Sequence, residues 1–182
     1  MKPTKISNIF SQEELDNLLL TTEQSEKTID DFLGRQRSLF LDSSKYPLDK
    51  LESISYQAYG SSLVLNDITY VEYNGKFGTP MLPPHFDGDF SELIINFQLS
   101  TNTVWQIGVD LELFTLEDNS AVLFHPNETA HWRPHKTFND GEYVKMIFFR
   151  YTANPPKDYS HMRLSIDDPQ FKDINQLRDS FK

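Results

Sequence analysis

The segment that decides the fold is PPHFD, residues 83–87, which places His85 and Asp87 two positions apart. In an extended segment the side chains at positions i and i+2 point to the same face, so this imidazole and this carboxylate would project into one space. Neighbouring ligands of a metal ion have to be arranged in this way. The H-x-D pattern also arises by chance. Whether it marks a metal site here depends on a third ligand further along the chain.

A third ligand is expected from a distant strand. Residues 119–126, NSAVLFHP, have the pattern of a turn, an apolar strand and a terminating proline, and His131 follows in the segment HWRPH, residues 131–135. The gap from Asp87 to His131 is 131 − 87 = 44 positions, which is room for a few strands and turns. Two histidines and one carboxylate on one face form the facial triad of non-haem Fe(II) oxygenases, which leaves coordination positions open. His135 remains an alternative to His131.

The chain beyond residue 62 is predicted to be mainly β. Strands are expected where β-branched and aromatic residues cluster between turn residues. These stretches are residues 68–73, 92–99, 103–114, 121–124 and 143–151. Many strands with short connections indicate a sandwich or a barrel.

Helices are predicted to flank this β-core. Ser11 and Glu14 form the S-x-x-E pattern of a capping box at the start of a first helix. A second helix is expected from about residue 48 to 59, residues 25–42 are ambiguous, and a last helix is expected from Pro169. We therefore expect one domain over residues 1–182, with a helical layer at about 1–62, a β-core at about 63–153, and a C-terminal tail and helix at about 154–182.

Composition excludes several classes of protein. The chain has 182 residues, no cysteine, and a net charge of 17 − 27 = −10, with a pI near 4.9. The missing cysteines exclude disulfides, iron–sulfur clusters and thiol nucleophiles, and the acidic charge makes nucleic acid an unlikely partner. No apolar run reaches the length of a membrane span, and the N-terminus lacks the pattern of a signal peptide. A cytoplasmic protein without a membrane partner is therefore expected.

The chain resembles the 2-oxoglutarate- and Fe(II)-dependent dioxygenases of the prolyl-hydroxylase-like branch. Four stretches, spanning most of residues 5–151, carry this resemblance. They are KISNIFSQEEL at 5–15, TYVEY at 69–73 followed by PHFD at 84–87, SAVLFHP at 120–126 continuing to His131, and GEYVKMIFFRY at 141–151.

The resemblance implies a double-stranded β-helix, a jelly-roll or cupin-like fold, that holds Fe(II) through His85, Asp87 and His131. It implies 2-oxoglutarate and O2 as co-substrates and leaves ascorbate open as an auxiliary reductant. The implied oxidoreductase converts 2-oxoglutarate to succinate while it hydroxylates an amino acid, a peptide or protein side chain, or another small molecule. Family members that halogenate lack the carboxylate ligand, so Asp87 favours a hydroxylase.

A cation is expected for the distal carboxylate of 2-oxoglutarate, because a buried unpaired carboxylate is costly. The family carries this cation on the strand after the distal histidine, where Lys145 is the expected anchor and Arg150, of opposite parity, is the alternative. The spacing of 145 − 131 = 14 positions is longer than the family's usual one. Tyr73 is expected to hydrogen-bond the keto acid, and Arg133 to meet the substrate or a keto-acid carboxylate.

A function of another class stays open. A non-catalytic cupin-like protein that binds a metal or a ligand is the alternative, and zinc or manganese could occupy the same barrel. A full triad with an inward-facing basic residue favours the oxygenase. Neither the substrate nor the oligomeric state is set by any segment of the sequence.

Overall fold

Two antiparallel β-sheets form the centre of the computed structural model, which describes residues 1–87, 91–154 and 172–180. The strands are β1 (Thr4–Ser7), β2 (Thr28–Asp30), β3 (Arg35–Ser38), β4 (Val64–Asn74), β5 (Leu93–Thr101), β6 (Ile107–Val109), β7 (Glu112–Phe114), β8 (Ser120–Phe124), β9 (His131–Trp132) and β10 (Tyr143–Thr152). The helices are α1 (Gln12–Glu23), α2 (Leu48–Tyr59) and α3 (Lys172–Asp179). The large sheet has the order β1-β8-β5-β10-β4-β3-β2, and the small sheet has the order β7-β6-β9.

The large sheet is covered on both faces. Its outer face packs on α1 and α2 through one apolar cluster, whose members include Leu18, Leu51, Ile95, Phe97, Ile147 and Phe149. Its inner face packs on the small sheet through a second cluster, whose members include Val71, Tyr73, Ile107, Val122, Phe124 and Met146. The architecture is the expected one: mainly β, a double-stranded β-helix with flanking helices.

The two N-terminal helices begin and end where their sequence signals predict. Ser11 Oγ accepts a hydrogen bond from Glu14 N at 3.3 Å, and Ser11 N donates to Glu14 Oε2 at 2.7 Å, which completes the capping box of α1. Gly60 ends α2 with φ of 82°, a left-handed conformation that glycine adopts without a Cβ penalty.

The helical layer predicted over about residues 1–62 also contains three short strands, β1, β2 and β3. β1 pairs with β8 and β3 pairs with β4, each at an edge of the large sheet. Edge strands such as RQRS (35–38) carry little apolar alternation, since backbone hydrogen bonds to the neighbouring strand hold them in place. Sequence periodicity could not detect them.

The predicted strand over residues 103–114 is two strands. β6 and β7 pair as a hairpin in which Val109 lies opposite Glu112. Asp110 has φ of 51° in the connection, a left-handed conformation that Asp tolerates better than most residues. The predicted start of the last helix at Pro169 and its flanking apolar residues Phe171 and Phe181 lie outside the described residues.

Among the helices in the described part of the chain, none is both long enough and apolar enough to cross a bilayer.

Candidate metal centre

The two candidate histidines face each other across a β-bridge. His85 N donates to His131 O at 3.2 Å and His131 N donates to His85 O at 3.0 Å. β9 places His131 in the small sheet, where it lies opposite Val109 of β6. The two imidazole rings are therefore 4.1 Å apart between centroids.

Asp87 joins the pair from the extended segment that follows His85. Its backbone N donates to Pro126 O at 3.0 Å. Its Oδ1 lies 3.5 Å from His85 Nε2 and 3.4 Å from His131 Nε2. One ligand atom from each of the three side chains lies within 4.8 Å of the others, a spacing that suits one metal ion.

The alternative ligand, His135, lies elsewhere. Its Nε2 is 3.5 Å from Asp179 Oδ1 of α3, whereas the cluster of potential metal ligands found in the described residues contains only His131 from the HWRPH segment. The geometry thus selects His131, and His161 lies outside the described residues.

Backbone carbonyls orient both imidazoles. His85 Nδ1 lies 2.8 Å from Pro83 O, and His131 Nδ1 lies 3.3 Å from Thr129 O. Because a carbonyl oxygen can only accept, each Nδ1 carries the proton, and each Nε2 keeps its lone pair toward the shared space. Metal-binding histidines are commonly held by hydrogen bonds of this kind.

The local charges favour the ligand form of each group. Burial raises the pKa of Asp87, but His131, His85 and Arg150 outweigh this effect and hold that pKa well below its usual value. Burial and the neighbouring His85 lower the pKa of His131, against the opposing effect of Asp87. An ionised carboxylate and a neutral imidazole are the forms that coordinate a metal ion.

Arg150 holds the other oxygen of the Asp87 carboxylate. Its Nε lies 3.4 Å from Asp87 Oδ2, and its Nη1 donates to Asp67 Oδ1 at 3.0 Å and to Thr69 Oγ1 at 3.1 Å. Arg150 is thus on the inner face of β10. Its contacts make it a support for Asp87, a role that the sequence analysis did not consider.

Lys145, the expected anchor, lies on the opposite face of β10. It shares the outer face with Ile147 and Phe149, which pack in the helical layer. Its Nζ lies 3.6 Å from Glu23 Oε1 of α1 and 5.4 Å from the ring centroid of Tyr143. Lys145 therefore points away from the barrel interior that holds the triad.

Arg133 occupies the interior instead. It is 2% exposed, its Nη1 donates to the carbonyls of Trp105 and Gln106, and its guanidinium lies 4.6 Å from the Trp105 ring centroid. No carboxylate of the described residues forms an ion pair with it. Burial without a counter-charge lowers the pKa of Arg133 to about 10. The expectation of a loop residue that meets the substrate did not anticipate this burial.

Two further polar groups face the same interior. Tyr73 is 1% exposed in the inner-face cluster, and its hydroxyl accepts from Arg35 Nη1 at 3.3 Å. Asn96 of β5 lies opposite Val122 and is 3% exposed, and its Oδ1 has no hydrogen-bond partner. The sequence analysis missed Asn96, although a lone amide inside the apolar run LIINF was the signal available.

Close packing fixes the strand that carries His131. A Cβ added to Gly108 of β6 would overlap the indole of Trp132. Trp132 is fully buried, and its Nε1 donates to Asp110 O at 2.9 Å. Only glycine at position 108 allows β9 to approach β6 this closely.

Comparison with known proteins finds relatives in structure only. No family model and no curated protein matches the chain. The epimerase SnoN, solved with Fe3+, alpha-ketoglutarate and nogalamycin RO, matches 86% of this chain and 80% of its own with a TM-score of 0.69 and 10% identity. HygX from Streptomyces hygroscopicus, solved with nickel, 2-oxoglutarate and hygromycin B, matches 82% of each chain with a TM-score of 0.67 and 12% identity.

A prolyl-4-hydroxylase from Pseudomonas putida matches 82% of this chain and 91% of its own, with a TM-score of 0.60 and 11% identity. These identities are low, so the similarity establishes the fold, that of the 2-oxoglutarate- and Fe(II)-dependent enzymes.

Proposed function

We propose that this protein is a non-haem Fe(II) oxygenase that uses 2-oxoglutarate and hydroxylates an amino acid, a peptide side chain or another small molecule. The observation that carries the proposal is the cluster of His85, Asp87 and His131, with ligand atoms within 4.8 Å, in a fold of this enzyme class. Two imidazoles and one carboxylate are the donor set of a facial Fe(II) site with open positions.

The residues around the cluster fit such a site. Carbonyls of Pro83 and Thr129 orient the imidazoles, and Arg150 holds the oxygen of Asp87 that lies away from the histidines. When bound there, iron would supply the activation of O2 that is coupled to oxidation of 2-oxoglutarate to succinate. The protein's contribution is to hold three ligands in fixed orientations and to keep the remaining positions open.

Arg133 is the residue we assign to the distal carboxylate of 2-oxoglutarate, in place of Lys145. It is buried and charged, it lacks a carboxylate partner among the described residues, and it stands two positions beyond His131. A buried ion without a partner is costly, and a bound carboxylate would remove that cost.

Tyr73 and Asn96 complete the proposed pocket for the keto acid. Arg133 lies 6.0 Å from the Tyr73 ring centroid, and the unpaired Oδ1 of Asn96 is on the same inner face of the large sheet. The oxygens of 2-oxoglutarate only accept hydrogen bonds, so Asn96 would donate to the keto acid through its amide Nδ2.

Hydroxylation is the reaction we propose among those of this fold. Solved neighbours include an epimerase and a carbocyclase of nogalamycin biosynthesis and a prolyl-4-hydroxylase. The epimerase is solved with nogalamycin RO, and HygX with hygromycin B. These ligands of the neighbours favour a small molecule as substrate over a protein. Because Asp87 would fill the third ligand position, that position is not open to a halide.

The decisive experiment measures metal binding and 2-oxoglutarate turnover on the same protein. Calorimetry with Mn(II) and then 2-oxoglutarate should show sequential binding of one equivalent each, and Fe(II)-loaded protein should form succinate. His131→Ala should lose both, whereas His135→Ala, a matched control four positions on, should keep both.

Mn(II) binding without any 2-oxoglutarate binding would instead favour the non-catalytic cupin-like protein. Retention of metal binding in His131→Ala together with its loss in His135→Ala would overturn the ligand assignment.

A further inference from the structure

A basic cleft lies beside the metal cluster, on the part of the inner face that β3, β4 and β10 form. It has a volume of about 210 Å³, and three arginines line it: Arg35, Arg37 and Arg150. In the register of the sheet, Arg35 lies opposite Tyr73 and Arg37 opposite Val71, so both arginines of β3 share the inner face. Three arginines in one cleft stand out in a chain with a net charge of −10.

Two of these arginines are already neutralised by carboxylates. Arg35 Nε lies 3.1 Å from Asp30 Oδ2, and Arg150 pairs with Asp67 and Asp87.

Arg37 differs from both. Its backbone carbonyl accepts from Thr28 Oγ1, but in the described part of the chain its guanidinium has no carboxylate within ion-pair distance. Arg37 is therefore the arginine of the cleft that has no carboxylate partner among the described residues.

The walls of the cleft combine apolar and polar groups. Val71 and Phe148 are buried apolar residues of the lining, and Asp67 and Thr69 add polar atoms. The cleft thus suits a small molecule with one anionic group and a body that contacts both apolar and polar side chains.

We propose that this cleft binds the substrate of the enzyme and that the substrate is a small carboxylic acid whose carboxylate pairs with Arg37. One unpaired guanidinium balances one carboxylate, and its planar fork matches the two carboxylate oxygens. A phosphate dianion would bring a second negative charge for which the cleft has no free cation.

The inference rests on the proposed function, because the cleft is a substrate site only if the cluster holds the catalytic metal. Arg150 connects the two places: it lines the cleft, and its Nε lies 3.4 Å from Asp87 Oδ2. A molecule held by Arg37 would therefore lie on the same inner face as Arg150, the arginine that contacts Asp87. Arg37 is four positions from Arg150 in the register of β4, about 13 Å along the strand.

The test is a calorimetric titration of protein loaded with Mn(II) and 2-oxoglutarate. The probes are straight-chain monocarboxylic acids of three to six carbons, the primary amide of each acid, and methyl phosphate. At least one acid should bind about tenfold more tightly than its amide, since a charge-assisted hydrogen bond is worth about this factor. Arg37→Met should abolish this preference, and Arg37→Lys should retain part of it.

Lys50→Met is the charge-matched control. Lys50 lies on α2, where it pairs with Glu14, so the variant also removes one positive charge but should keep the preference for acids. The comparison of acid with amide in the wild-type protein needs no variant and stands even if Arg37→Met fails to fold.

Three results would overturn the inference: equal binding of every acid and its amide, tighter binding of methyl phosphate than of any acid, or displacement of 2-oxoglutarate by the acids. If 2-oxoglutarate binds the Mn(II)-loaded protein but no acid is preferred, the substrate inference alone fails. If 2-oxoglutarate itself does not bind, the proposed function fails.

Discussion

Replacing Arg133 by methionine should weaken the binding of 2-oxoglutarate roughly a hundredfold and leave the unloaded protein folded. Arg133 is 2% exposed and has no carboxylate partner among the described residues. Its side-chain hydrogen bonds go to the carbonyls of Trp105 and Gln106 and to Met146 Sδ. The side chain therefore carries a charge that the folded protein solvates but does not neutralise.

The magnitude follows from the burial of this charge. The pKa of Arg133 falls from 12.5 to about 10 because burial penalises the charged form. That fall corresponds to ~3 kcal/mol for keeping the guanidinium ionised in the interior. A carboxylate that pairs with Arg133 recovers at most about this free energy, and ~3 kcal/mol is roughly a hundredfold in a dissociation constant.

The assay is a calorimetric titration of 2-oxoglutarate into Mn(II)-loaded wild type and Arg133→Met, followed by steady-state turnover with Fe(II). The ion pair lies away from the bond that is oxidised and is much the same in the ground and transition states. The loss should therefore appear in KM far more than in kcat. Arg133→Lys should keep part of the affinity, because lysine retains the charge but not the planar fork.

Lys145→Met is the control, since it removes a positive charge from the outer face of β10, where Lys145 meets Glu23. This variant should bind 2-oxoglutarate as the wild type does. A large loss of affinity in Lys145→Met, with none in Arg133→Met, would refute the argument from burial and restore the anchor that the sequence predicted. Thermal unfolding of the unloaded variants checks that both retain the fold.

Three further outcomes are expected. Arg150→Met should lower the free energy of unfolding by ~3 kcal/mol in urea titrations, because Asp67 loses its buried partner. Adding Asp67→Asn should recover much of this loss, and no recovery would contradict the pairing. Gly108→Ala should lower the free energy of unfolding by ~1–3 kcal/mol and weaken Mn(II) binding, because the new methyl group overlaps Trp132. A calorimetric Mn(II) affinity equal to that of the wild type would show that β9 can shift freely. Ser11→Ala should lower the free energy of unfolding by ~1 kcal/mol, because α1 loses its N-terminal cap, and should leave Mn(II) affinity unchanged. A changed affinity would link α1 to the metal site.

Local signals determined the helices and the chemistry of the metal cluster. The capping box at Ser11 and Glu14 marked the start of α1, because a cap requires only contacts within one turn. The residue types of PPHFD and of the downstream His131 indicated a metal site, since two imidazoles and a carboxylate are a ligand set wherever the chain brings them together. The short strands indicated a sandwich or a barrel, and the double-stranded β-helix was what the resemblance to the 2-oxoglutarate- and Fe(II)-dependent dioxygenases implied.

The faces of β10 could be decided only by the tertiary structure. The alternation of side chains along a strand places Lys145 and Arg150 on opposite faces, but it does not show which face is the interior. Both faces of this central strand are covered, the outer by helices and the inner by the small sheet. Apolar residues therefore occur on both faces, and their alternation does not show which face is the interior.

The burial of Arg133 and the cleft at Arg37 were equally beyond the sequence. Arg133 reaches the interior because β9 pairs with β6, and Arg37 faces the cleft because the polar edge strand β3 pairs with β4. Each placement depends on hydrogen bonds between segments far apart in the chain. A polar edge strand such as β3 has no apolar alternation that would specify its partner, so its own residues do not reveal the pairing.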